Sequence, residues 1–317
     1  VSGAPAELTV WAEGLRFPEG PVLLPDGSIL VSEIIAGTIV RATAGAPHEV
    51  VMEVPGMPNG LAFGPDGALY CANMGGLLDP SILARTPGID LDRLQYRGGS
   101  IQRIDLRAGT CTDIVTHVGE RPLRAPDDLV FDSSGGFYFT DIGLTDNRNR
   151  TSDITGIYYA RTDSCECRQL VKSTFPTNGL GISPDGGQLI WTEYLSGRLF
   201  ARDILGPGVL RDPDTVHSDC LYVHPAPITW FDSLTVGASG EIAVAVHDGT
   251  TTGKSGVMSF SPAGDPAGFM PFDDPYTTHV IFSLDGPPTA YVTLSGTGLL
   301  VAVPWHHHGL PSAFGPA

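Results

Sequence analysis

The amino-acid sequence predicts an all-β protein: one six-bladed β-propeller of four-stranded antiparallel blades, its ring closed by the N-terminal strand. Three observations lead there. First, a nine-residue template (a polar residue, a small or acidic one, an apolar run, a turn and a glycine) occurs six times, at 19–27, 59–67, 127–135, 178–186, 232–240 and 278–286. Second, the copies recur at intervals of 40, 68, 51, 54 and 46 residues, the spacing of units built from four short strands. Third, no long stretch carries helical periodicity.

The elements follow in chain order. ELTVWAEG, before the first template, reads as an extra strand. After each template glycine comes a β-type run: SILVSE, ALYCAN, GFYFTD, QLIWTE, EIAVAV and AYVTL. The second unit continues with GSIQRIDLRAG and CTDIVTHV, and the third with GIYYARTD and CRQLVKS. The fourth continues with GRLFARDI and an edge strand expected around VHSD. β-branched and aromatic residues dominate these runs, and Gly or Asp-Gly punctuates them. The last unit offers only VIFSL, AYVTL and GLLVAV, so its outer strand is expected from the N-terminus, which removes exposed sheet edges. A single domain over 1–317 results, with insertions at 77–97, 145–153 and 220–231 expected as loops around the opening.

Composition narrows the functional classes. The 317 residues are 42% hydrophobic with 40 Gly and 27 Pro, a globular chain rich in turns. A net charge of −17 argues against nucleic acid and anionic membranes as partners. No apolar run reaches the roughly 20 residues of a membrane helix, and VSGAPAELTV has no signal-like pattern. Five cysteines at irregular spacing do not make a disulfide framework or a zinc site, which favours a reducing, cytoplasmic setting, with secretion after trimming as the alternative. Asn149 begins a lone glycosylation sequon. His306, His307 and His308 adjoin in an extended tail and are expected to be solvated or packed. Nothing in the composition requires oligomerisation, so a monomer is compatible with the sequence.

In a propeller the first strand of each blade starts near the axis, so the template's first residues converge. Here they are Glu19, Asn59, Asp127, Asn178, Asp232 and Thr278. Three acids, two amides and a hydroxyl form an all-oxygen set whose like charges need a cation between them. Such ligands select Ca²⁺ or Mg²⁺, with Ca²⁺ tolerating irregular geometry better. His279 and His247 lie where they can reach the opening, and Trp230 belongs to the aromatic segment expected to wall it.

The wording FPEGPVLLPDG, APDDLVFDSSGGFYFTD, TNGLGISPDG with WTE, and FDSLTVGASGEI resembles the senescence-marker-protein/gluconolactonase/regucalcin-like family. GGFYFTD and WTEYLSGRL are most similar to its calcium-dependent, drug-responsive lactonase branch. The resemblance covers about residues 15–303 and implies a six-bladed propeller with an axial divalent metal that hydrolyses lactones. It implies Glu19, Asn178 and Asp232 as metal ligands. A further family Asn falls on Asp127, a departure that adds a charge at the metal. An Arg that binds sugar lactones in some relatives falls on Ala125, with Arg124 out of register, which disfavours a sugar-acid lactone.

The mechanism expected is attack of water on a metal-polarised lactone or ester carbonyl, assisted by a carboxylate base. Asp232 is the first candidate for that base, followed by Asp127 and Asp128, with Asn59, His279, His247 and Trp230 toward the substrate. Mg²⁺, Mn²⁺ or Zn²⁺ are alternatives to Ca²⁺. Two other readings stand beside this one: the same fold and metal used for phosphotriester hydrolysis or a biosynthetic step, and a non-catalytic interaction propeller.

Overall fold

The computed structural model describes residues 8–76, 95–146, 151–153, 155–164, 166–215, 218–224, 229–247 and 255–316. Blade 1 contains Pro18–Leu23, Ile29–Glu33, Thr38–Ala42 and Glu49–Glu53. Blade 2 contains Pro58–Phe63, Leu69–Asn73, Ser100–Asp105 and Thr110–Val115. Blade 3 contains Pro126–Phe131, Gly136–Asp141, Thr155–Arg161 and Cys167–Ser173. Blade 4 contains Thr177–Ile182, Gln188–Glu193, Arg198–Gly206 and Cys220–Val223. Blade 5 contains Trp230–Val236, Ile242–His247, Ser255–Phe260 and Pro266–Phe272. Blade 6 contains Thr277–Phe282, Thr289–Leu294 and Leu299–Pro304, and its outer strand is the N-terminal Thr9–Ala12. Among the described residues the one helical turn is a 3-10 turn at Tyr194–Ser196.

Each first strand packs against the first strands of both neighbouring blades, and the sixth returns to the first. This closed circuit makes the axis. Between the blades lie six apolar cores, one per junction. Phe131, Phe137 and Tyr158 join blades 2 and 3; Tyr138, Trp191 and Phe200 join blades 3 and 4; Ala12, Val31 and Tyr291 join blades 6 and 1. Because sheets cover both faces of every second strand, these strands are buried at nearly every position rather than at alternate ones. At about 25 cal/mol per Å² of apolar surface removed from water, the fully buried aromatics are the largest single contributions to each junction.

The template glycine has a structural cause. Gly27, Gly67, Gly135, Gly186, Gly240 and Gly286 all have positive φ, between 64° and 86°, the left-handed region that only glycine enters at no steric cost. The turn after each first strand is therefore set by one residue type at one offset.

Two loop expectations change. Cys220–Val223 is not a loop but the outer strand of blade 4, paired antiparallel with Arg198–Gly206; the edge lies one step beyond VHSD. The β-type composition of CLYV, masked in sequence by the Pro-rich stretch after it, was the available signal. Within 145–153, Thr145–Asp146 pairs with Thr151–Ser152 as a small hairpin. Residues 77–94 and 225–228 lie outside the described residues, so those parts of the expected loops have no structural account. Among the described residues Cys71, Cys111, Cys167 and Cys220 are free thiols, and no helix is long and apolar enough to cross a membrane.

After Pro304 the tail crosses the far mouth of the channel. Gly309 donates its N–H to Ser283 O at 2.9 Å and bridges to Gly237. Phe314 then packs against Phe131, with ring centroids 5.8 Å apart. Under this strap lies an axial cavity of about 180 Å³ lined by the first strands and by Leu310, Ser312 and Ala313.

Candidate axial site

Every first strand carries a register shift at or beside its template's first residue: between Glu19 and Val22, Pro58 and Leu61, Pro126 and Leu129, Thr177 and Leu180, Phe231 and Leu234, and Thr277 and His279. A bulge re-aims side chains that simple alternation would send to opposite faces. Here both template positions one and two are directed inward. Asp128 and His279, at position two, line the axial cavity. Position two is glycine in blades 1, 2 and 4 and Ser233 in blade 5, and the glycines allow a close approach of neighbouring strands. A Cβ on Gly60 would stand 2.8 Å from Asp128 Oδ1, and one on Gly179 would stand 2.4 Å from the Leu234 nitrogen.

Hydroxyls on the second strands fix the ring's backbone. Ser32 donates to Glu19 O and Asn59 O, at 2.9 and 2.8 Å. Thr140 donates to Asn178 O and Thr192 to Asp232 O, both at 2.8 Å. The bonds to Asn59 O, Asn178 O and Asp232 O each tie a blade to the next one's ring residue, while that to Glu19 O lies within blade 1. Thr278 is engaged with Thr293 and Ser295, at 2.9 and 2.6 Å, so this position of the ring is occupied by a hydroxyl network.

All six ring residues are buried, and Asp128, His247 and His279 with them. The electrostatics follow. Burial, reinforced by the charges of Asp232 and Glu19, raises the Asp127 carboxyl well above its ordinary value. Asp232 is raised for the same first reason and by Glu19, while His279, Asn178 and the Ser233 N–H oppose the shift. Burial pushes Asp128 up to about 6 against the pull of His279 and two backbone N–H groups. Those groups are Leu129 N, 2.8 Å from Oδ1, and Leu180 N, 3.1 Å from Oδ2; Asp128 thus braces blade 3 against blade 4. Burial lowers His279, but Glu19, Asp128 and Asp232 outweigh it and hold the imidazole above its ordinary value. His279 Nδ1 lies 3.5 Å from Glu19 Oε2, an electrostatic contact rather than an aligned hydrogen bond.

His247 is the residue whose placement the template alone does not give. Its Nε2 is 3.1 Å from Asp232 Oδ2 and 3.3 Å from Tyr194 Oη. Its ring also meets Trp230 and Tyr276 edge-on, with centroids 5.3 Å away in each case. Tyr194, at 5.2 Å from Trp230, and Phe17, at 6.0 Å from Tyr276, extend this aromatic wall. Tyr194 and Tyr276 went unnoticed in the sequence because they sit in connections after strands, where no repeat marks them. On the side of blades 1 to 3, Ile34, Met57, Met74 and Ala125 form an apolar cluster, and Asn59 Nδ2 lies 3.5 Å from Met74 Sδ. Asn178 Oδ1 accepts from Ser233 Oγ at 3.3 Å.

Buried carboxylates gathered around an axis against their own repulsion, with amide oxygens beside them, suit a hard divalent cation. The donor set passes that test on chemistry.

Among curated proteins, the chain is 27% identical over 267 residues to lactonase drp35 of Staphylococcus saprophyticus, covering 82% of this chain and 71% of that one. It is 29% identical over 143 residues to lactonase drp35 of Staphylococcus aureus, covering 45% of this chain and 40% of that one. Among solved structures, a gluconolactonase from Xanthomonas campestris superposes with TM-score 0.70 at 18% identity, covering 94% and 89% of the two chains. A calcium-binding regucalcin from Agrobacterium tumefaciens does so with TM-score 0.68 at 16% identity, covering 99% and 96%. These two likenesses establish the fold. The pattern of the SMP-30/Gluconolactonase/LRE-like region matches residues 17–296, a span that takes in the whole acidic ring, and the chain belongs to that family.

Proposed function

We propose that the chain is a divalent-metal-dependent hydrolase of lactones or esters, with Ca²⁺ as the cation. The observation that carries this reading is the burial of three acids, Glu19, Asp127 and Asp232, at equivalent positions around one axis, where burial and neighbouring charge raise Asp127 and Asp232. A scaffold propeller gains nothing from such repulsion. The names borne by curated relatives, lactonases in Staphylococcus, support the reaction class.

Glu19, Asn178 and Asp232 would hold the cation, with Asp127 as a fourth ligand. Bound there, it polarises the substrate carbonyl and stabilises the oxyanion. The remaining work falls to the chain. Asp232 takes the proton of the attacking water, and His247 at 3.1 Å holds its carboxylate in place. Asp127 and Asp128 are the next candidates for the base. Asp128 is the less free of the two, since each of its oxygens already accepts a backbone N–H. Asn59 orients substrate or water, and His279 supplies a positive charge beside Glu19. Trp230, with Tyr194 and Tyr276, forms an aromatic wall suited to a substrate more apolar than a sugar lactone.

The test is hydrolysis of a δ-lactone, an aryl ester and a phosphotriester, before and after EDTA treatment and with Ca²⁺ added back. Lactone turnover that disappears with the metal and returns with Ca²⁺ supports the proposal. Turnover that survives complete metal removal sinks it.

A further inference from the structure

Opposite the acidic ring, the tail that closes the far mouth brings a second set of ligand-type side chains together. Of the three adjacent histidines of this tail, expected as solvated or packed, His306 is exposed and His307 is packed. His306 Nε2 lies 2.9 and 2.8 Å from the two Glu241 oxygens, and His307 Nε2 lies 3.2 Å from Glu241 Oε1. One ligand atom from each residue falls within 4.8 Å of the other two, the one such His/Cys/Asp/Glu trio among the described residues. His308 turns away, its Nδ1 3.2 Å from Ser283 O.

The hydrogen bonding of His307 says which of its nitrogens is available. Its Nδ1 is 3.2 Å from the His308 carbonyl oxygen. A carbonyl can only accept, so Nδ1 carries the proton, and the Trp305 Nε1–H that donates to Nε2 requires a lone pair there. That lone pair faces the Glu241 carboxylate, an arrangement of two acceptors that a cation between them would resolve. Trp305 Nε1–H also donates to Nε2, at 3.1 Å, and a metal on that lone pair would take its place. An imidazole whose second nitrogen donates to a backbone carbonyl is the usual orientation of a metal-ligating histidine.

The set is also held in place from both sides. Glu241 stands at the start of blade 5's second strand, directly after the turn at Gly240. The tail is fixed by Ala238 N to His308 O at 2.9 Å and by the Gly237–Gly309 bridge. Gly237 gives His307 its seat, since a Cβ there would stand 2.4 Å from the imidazole Cε1. His307 is 11% exposed and Glu241 15%, while His306 at 61% leaves the open side to water.

We infer that Glu241, His306 and His307 form a transition-metal site, separate from the axial ring, that takes Zn²⁺ and pins the C-terminal strap to blade 5. Two imidazoles and one carboxylate match zinc's ligand preference and leave a fourth position for water. The same set disfavours Ca²⁺ and Mg²⁺, which take oxygen ligands. The role is structural: the metal joins the turn of blade 5 to the chain leaving blade 6, across the cavity's far mouth.

The experiment uses the full chain stripped of metal, with Ca²⁺ then supplied in excess to occupy oxygen-ligand sites. Zn²⁺ is titrated by calorimetry, and Co²⁺ by its visible d–d absorption, with tryptophan fluorescence followed for Trp305. The expected result is one equivalent of Zn²⁺, a four-coordinate Co²⁺ band, a change in fluorescence and a raised melting temperature. Glu241→Gln and, at the exposed ligand, His306→Ala should each weaken Zn²⁺ binding at least tenfold, while His308→Gln leaves it unchanged. Equal stoichiometry and affinity in the wild type and both ligand variants would overturn the inference and leave the cluster as an ion pair. If Glu241→Gln does not fold, His306→Ala decides alone. None of these readouts depends on lactone turnover, so the two proposals can fail separately.

Discussion

Replacing Asp128 by Asn tests the electrostatics of the axis in a residue that braces the fold. In the native protein its two oxygens accept Leu129 N and Leu180 N. The amide keeps one acceptor and turns an NH₂ toward the other N–H, leaving a buried donor unsatisfied at about 1–3 kcal/mol. Against that stands the charge. Burial raises the Asp128 carboxyl from 3.8 to about 6, and each unit is worth about 1.4 kcal/mol. A carboxyl whose folded value lies above its unfolded one binds more protons when folded, so its contribution declines as pH rises through that window. The wild type therefore loses about 3 kcal/mol through this group once the pH passes well above 6, most of it between pH 4 and 7.5. Asp128→Asn loses none of it. The variant should be less stable than the wild type at pH 4 and equal or more stable at pH 7.5. Urea unfolding of metal-stripped protein across that range measures the difference. A stability gap that is constant with pH, or that widens in favour of the wild type as pH rises, would refute the reasoning.

Three further outcomes are expected. Ser32→Ala removes the donor shared by Glu19 O and Asn59 O and should lower stability by about 1–3 kcal/mol, read as a lower thermal midpoint with the propeller's circular dichroism retained. Gly20→Ala sets a Cβ 2.4 Å from Asn59 O at a residue with φ of 51°. It should cost about 1–3 kcal/mol of strain and displace Glu19, seen as weaker Ca²⁺ binding by calorimetry; wild-type affinity would count against Glu19 as a ligand. Deleting residues 1–13 strips the outer strand from Leu299–Pro304 and takes Ala12 from the core it shares with Tyr291. The bared edge should drive association, measured by light scattering, and a stable monomer would mean that ring closure does not protect it.

Much of this architecture was legible because its cause is local. The left-handed turn requires glycine, so six turns printed six glycines at one offset, and the strands between them followed. The N-terminal strand was legible by subtraction, since the last unit lacked an outer partner. What could not be read is what depends on contacts between distant segments. The outer strand of blade 4 has no template and was obscured by neighbouring prolines. The bulges were hidden as well, because alternation is the only rule that sequence supplies for a strand. They explain how Asp128 and His279 come to line the axial cavity although each directly follows a buried ring residue. For His306 and His307 the sequence offered only a solvated or packed role, because their partner Glu241 lies 65 residues from His306.

A ring of equivalent positions cannot by itself make one acid differ from another, and a site that needs both ligands and a base has to break that symmetry. The break lies at the last residue of the second strands. In blades 1 to 3 this residue accepts backbone N–H groups from the loops: Glu33 from Arg16, Asn73 from Met57, and Asp141 from Arg124 and Ala125. In blade 4, Glu193 accepts the hydroxyls of Ser173 and Ser196. All four are acceptors that hold the connections down. In blade 5 the position is His247, which reaches inward to Asp232 instead. Asp232 is thereby the one ring carboxylate among the described residues with an imidazole from its own blade beside it, backed by Tyr194. His279 plays a different part, lying nearest Glu19 and offsetting charge. Blade 6 ends its second strand in Leu294, which has no polar group to offer, so the proposed division of labour, Glu19 and Asn178 as ligands and Asp232 as ligand and base, rests on the one histidine at this position. In the proposed reading, the aromatic residues that surround His247 would put the substrate on that same side of the axis.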